Sequence, residues 1–159
     1  MVVVGCAPAA EEPARSPFTG NPWPEIRAER IEVLLPAAMQ EQEVDAWMII
    51  CRENNNDPIA DHVGCENAGG TAAFMFFLSD ENLTSVAISP AGEATALAEK
   101  EMMDEVVQVS RGSGLWGTVE KQFERFSPEV IAINTGRSPI SDGLSHTQYT
   151  SMMEGISGR

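Results

Sequence analysis

Between Ile50 and Gly70 the chain reads ICRENNNDPIADHVGCENAGG, and groups that could hold a metal or move a proton crowd into it. Cys51, Asp57, Asp61, His62, Cys65 and Glu66 are all there, with Arg52 and the run Asn54, Asn55 and Asn56 among them. Carboxylates among Asp57, Asp61 and Glu66 would suit general acid–base work, but an exposed polar loop accounts for them as well. Cys51, His62 and Cys65 are zinc-ligand types. Structural zinc sites want closely spaced cysteine pairs, however, and Cys51 sits in an apolar run where a buried hydrophobe is the commoner reading. No calcium-loop register starting at Asn54, Asp57 or Asp61 brings the required Gly and closing Glu into place.

Two further constellations lie late in the chain. Gly112-Ser113-Gly114-Leu115-Trp116-Gly117 has the spacing of a dinucleotide fingerprint and falls between an expected strand and an expected helix. The next strand ends in Asn134-Thr135-Gly136, with no carboxylate for a ribose, so glycines that shape a turn at a helix N-terminus explain the pattern better. Asp142, Ser145 and His146 in SDGLSHTQY are triad residue types. A catalytic triad is assembled from distant segments, so Asp142 or Ser145 is expected instead as a helix N-cap.

The elements around these residues follow from hydrophobic periodicity. Glu25 to Gln42 reads as an amphipathic helix that Pro36 should break or kink. Ala46 to Cys51 and Ala73 to Leu78 are apolar runs of strand length. Thr84 to Ser89 and Glu93 to Leu97 extend these into an expected antiparallel meander. Val106 to Ser110, a helix over Leu115 to Phe126 and Val130 to Asn134 form a βαβ pattern with the usual right-handed crossover, and Ser145 to Glu154 is a final helix. The class is α/β, a mixed sheet flanked by helices.

The chain has 159 residues, 43% of them hydrophobic and 21% charged, which fits one folded domain. A formal net charge of −14 argues against nucleic-acid partners, because phosphate binding depends on clustered Lys and Arg. The three cysteines are too few and too unevenly placed for a disulfide framework. Val3-Val4-Gly5-Cys6 looks like the lipobox of a bacterial lipoprotein, with Cys6 as the lipidation position, although the apolar run before it is short for a signal. Residues 1–22 then read as a remnant signal and an Ala/Pro/Glu tether, and 23–159 as the domain. A lipid anchor would be the only membrane attachment and the bacterial periplasm the expected compartment, with the cytoplasm as the alternative.

WPEIRAERIEVLLPAAM, VDAWMIICRENNNDP, NAGGTAAFMFF, VAISPAGEATAL and DGLSHTQY, in this order, resemble the N-terminal domain of the creatinase-like and Xaa-Pro peptidase-like proteins of the M24 metallopeptidase group. The resemblance covers most of the chain from Trp23 to Ile156 and implies a creatinase N-terminal-type domain with a ribonuclease H-like motif. In such proteins this is the non-catalytic half. Two divalent metal ions, such as Mn or Co, belong to the following catalytic domain, and no position here matches its five-ligand pattern. The resemblance therefore implies that this polypeptide alone is inactive, that its partner is a C-terminal catalytic domain, and that it contributes to a homo-oligomer. It also implies a wall beside the entrance used by short peptides, for which Arg52, Asn54, Asn55, Asn56, Asp57 and His62 are the candidate residues. The alternative classes are a free-standing lipoprotein-borne module that binds a small ligand and, less well supported, a nucleotide-dependent enzyme.

Overall fold

The computed structural model describes residues 20–53, 57–65, 70–80 and 82–156, with the backbone alone at position 61. Its first element is one helical path in three parts: α1 (Trp23–Glu29), a π-helical turn (Arg30–Leu34) and α2 (Leu35–Glu41). Pro36 is the reason for the interruption. It has no N–H to give to the turn before it, and its ring needs room there. The helix widens instead of breaking: Leu35 N–H donates to Arg30 O, and Pro36 falls in the first turn of α2, where a missing N–H costs little.

Five strands form one mixed sheet in the order β4-β3-β2-β1-β5, with β1 (Ala46–Cys51), β2 (Ala72–Ser79), β3 (Asn82–Pro90), β4 (Glu105–Val109) and β5 (Ile131–Ile133). β2 is antiparallel to both β1 and β3, and β4 and β5 pair in parallel with β3 and β1, so four strands point one way and β2 points the other. Six consecutive residues of β2, Ala72 to Phe77, are buried because both faces of the sheet are covered. On one face Ile49, Phe74 and Phe76 pack with Ile31, Met39 and the short helix α3 (Ala60–Val63). On the other, Met48, Met75 and Phe77 pack with Leu115, Val119 and Phe123 of α5 (Leu115–Phe126) and Met152 of α6 (His146–Gly155). The result is a three-layer α/β/α arrangement.

The structure corrects the expected meander. Glu93 to Leu97 is not a strand but lies within α4 (Ala91–Ala98). Its alternating Ala and polar residues mimic period two, yet Ala, Glu and Leu are strong helix formers and Pro90 stands at the N-cap. This helix makes the local parallel crossover from β3 to its neighbour β4. The expected unit from Val106 to Asn134 does contain β4, α5 and β5 running in one sense, but the two strands lie on opposite edges of the sheet.

Candidate functional site

The parallel strands β1, β3, β4 and β5 bring their carboxyl ends, Cys51, Pro90, Val109 and Ile133, to one edge of the sheet. The loops that leave this edge carry nearly every residue singled out by chemistry, but they do not converge on one site. Asp57 goes inward: only 3% of it is exposed. Its Oδ1 accepts from Ile59 N–H at 2.9 Å and its Oδ2 from Asn134 Nδ2 at 2.8 Å. Asn134 in turn accepts from Trp47 Nε1–H at 2.7 Å through Oδ1, and its backbone carbonyl accepts from Gly143 and Leu144 N–H at 3.1 and 3.0 Å. Gly143 lies so near that a Cβ there would overlap the Asp57 carboxylate. This node ties β1, β5, the loop after β1 and the segment before α6 together, and it overturns the reading of Asp57 as part of an exposed polar loop. Trp47, Asn134 and Gly143 were not singled out by sequence. Nothing in their spacing signals a node that forms only when distant segments meet.

The cysteines need a second correction. Cys51 and Cys65, 14 positions apart, form a disulfide, so Cys51 is buried as a bonded half-cystine and not as a free hydrophobe. The chain is not a disulfide framework, but two cysteines flanking one polar loop were enough for a single staple. Neither sulfur is then a thiolate, which removes the zinc set Cys51, His62 and Cys65. His62 turns to the face of the sheet covered by the first helical path, where its Nδ1 meets the Arg30 guanidinium. Both border an apolar cavity of about 280 Å³ with Leu34, Leu35, Ala38 and Trp47.

Arg52 goes the other way. It is exposed and borders a separate cavity of about 270 Å³ with Thr71, Ser113, Trp116, Thr147 and Ser151. The glycine turn lines it through Gly112, Ser113 and Gly114. Gly112 and Gly114 have φ of +79° and +86°, and Gly114 is the N-cap of α5 with no side-chain cap. These glycines make a left-handed turn that side chains tolerate poorly. Beyond it, Ser145 caps α6 as expected: its Oγ accepts from Gln148 N–H at 3.3 Å, and Gln148 Oε1 accepts from Ser145 N–H at 3.0 Å. The Asp142 carboxylate accepts from Gly136 N–H at 3.4 Å. Ser145, Asp142 and His146 thus serve a helix start and a loop.

Asn54, Asn55, Asn56, Glu66 and Cys6 lie outside the described residues. Among the described residues no group of three His, Cys, Asp or Glu is placed to hold a metal ion, and no helix is long and apolar enough to cross a membrane.

A five-stranded mixed sheet with helices on both faces, edged by cross-linked loops, defines a class of α/β domain. Solved N-terminal domains of Xaa-Pro peptidases share this arrangement of sheet and helices. The structure is similar to the N-terminal domain of Xaa-Pro dipeptidase from Lactobacillus brevis, with a TM-score of 0.58 and 14% identity over 80% of this chain and 87% of that one. It is similar to Xaa-Pro dipeptidase from Bacillus anthracis, with a TM-score of 0.52 and 14% identity over 84% of this chain. It is also similar to X-Pro aminopeptidase from Thermotoga maritima MSB8, with a TM-score of 0.54 and 17% identity over 77% of this chain. The chain spans 31% of the length of each of the last two. No family model matches the sequence, and no curated protein matches it. At these identities the likeness is one of fold.

Proposed function

We propose that this domain is the non-catalytic N-terminal-type half of an M24-type, Xaa-Pro peptidase-like system. Its role there is to help hold an oligomer together and to wall the entrance through which short peptides reach a catalytic domain. The observation that carries this reading is the match to an isolated N-terminal domain over 87% of that domain's length. In such a system a catalytic domain would hold two divalent metal ions, such as Mn or Co, and this chain would supply shape and charge alone. Arg52, exposed beside a cavity at the edge of the sheet, is the described loop residue best placed to meet a peptide carboxylate. The compartment that fits Cys6 as a lipid-attachment point is the bacterial periplasm, with the disulfide in keeping with it.

The direct test is to incubate the purified chain with Xaa-Pro dipeptides and added Mn²⁺ or Co²⁺. No turnover above a metal-only blank is expected, and turnover would overturn the non-catalytic assignment. Sedimentation of the same preparation should show an oligomer; a monomer at all concentrations would remove the oligomer role.

A further inference from the structure

Cys51 is the last residue of β1, and Cys65 follows Gly64, the left-handed cap of α3. Both half-cystines are buried, at 0% and 1% exposure, among Ile49, Ala60, Val63 and Phe74. The ring they close contains α3, whose four residues are too few to be helical unaided. Segment 57–65 is held to the body by Ala60 and Val63 in the core, by Asp57 on Asn134, by His62 on Arg30 and by the disulfide. The sheet is held differently: the ladders joining β1, β2 and β3 use Ala46 to Cys51, Ala72 to Ser79 and Asn82 to Ile88 and do not pass through that segment.

We propose that the Cys51–Cys65 bond is an oxidative latch on segment 57–65. In the oxidised protein the segment is fixed, with Asp57 and His62 on their partners. In the reduced protein it is released while the sheet persists. Closing the latch removes two electrons and two protons from the Cys51 and Cys65 thiols, and a disulfide oxidant takes them up and leaves as two thiols. Opening is the reverse exchange with a dithiol, which is itself oxidised to a disulfide. Because both sulfurs are buried, an attacking thiolate reaches them only after the segment has opened locally, so local opening sets the pace of reduction. The latch places the ordered form of this loop in an oxidising compartment, whatever the domain's partner.

The test uses the full chain carrying Cys6→Ser, incubated with oxidised glutathione or with dithiothreitol and followed by peptide-resolved hydrogen exchange. Reduction is expected to cut protection over residues 57–65 on the order of 100-fold, the factor that cross-linking a loop of about 15 residues supplies, while β1 and β2 stay protected. The double variant Cys51→Ser with Cys65→Ser should show the reduced pattern with or without dithiothreitol. Three results would overturn the latch: both thiols alkylated after oxidation, exchange over 57–65 unchanged on reduction, or protection lost from the sheet as well.

Discussion

The loop after β1 and the turn after β4 leave the same edge of the sheet, yet they end in opposite states. The first is rich in ionisable and metal-binding groups, and those described are largely consumed in holding it down: Cys51 on Cys65, Asp57 on Asn134, His62 on Arg30. The second is nearly bare of chemistry, and its glycines leave backbone beside a cavity of about 270 Å³ to which the loop contributes mainly Arg52. In this loop Cys51, Asp57, His62 and Cys65 serve as cross-links to the body of the domain. Beside the turn after β4 the space is left by Gly112, Ser113 and Gly114, whose side chains are small and whose backbone turns sharply.

The contrast is most easily broken at Asp57. Replacing it by Ala leaves the half-buried Asn134 amide and Ile59 N–H without their acceptor, which should lower unfolding stability by about 2 kcal/mol in urea titration. A loss under about 1 kcal/mol would mean that the node is dispensable. Gly143→Ala should approach the same loss by pushing the carboxylate away, so agreement between the two variants sharpens the assignment of that glycine to close approach.

The turn after β4 should respond less. At Gly114 an added Cβ meets only Val109 carbons at ordinary contact distances of 3.8 and 3.9 Å. Gly114→Ala therefore costs backbone strain at φ +86° alone, about 1 kcal/mol, and a much larger drop would show that the turn is packed after all.

The smallest effect belongs to a pair outside both regions. Arg125 donates to Glu105 at 2.8 Å, and this hydrogen bond holds the Glu105 carboxyl below its usual value. A depressed carboxyl contributes stability above its unfolded value of about 4.5 and loses it as pH falls through the folded value. Glu105→Gln should thus differ slightly from the parent at pH 7 and converge with it in acid, because both side chains are more than a third exposed and screened by water. A pH-independent difference would point to packing instead of charge.

Much of the fold was legible. The apolar runs of β1 and β2, the amphipathic stripe of α5 and the Ser145 cap each depend on neighbours within one or two turns of chain. Glu93 to Leu97 reads as a strand yet folds as helix, because alternation of small residues satisfies two periods at once. The site was less legible. Asp57, Asn134 and Trp47 are separated by as many as 87 positions, so no local spacing reports their contact.

By itself the sequence determined the class, a mixed α/β sheet covered on both faces, because periodicity and turn chemistry act over short stretches. It also carried the order of segments that resembles Xaa-Pro peptidase N-terminal domains, and the structures of such domains share this fold. Only the tertiary structure decided that Cys51 finds Cys65, that Asp57 is buried and that Arg52 and His62 part to different cavities. Those outcomes depend on which loops the sheet brings to one edge, and burial there turns polar groups into cross-links because leaving them unpaired costs more than joining them.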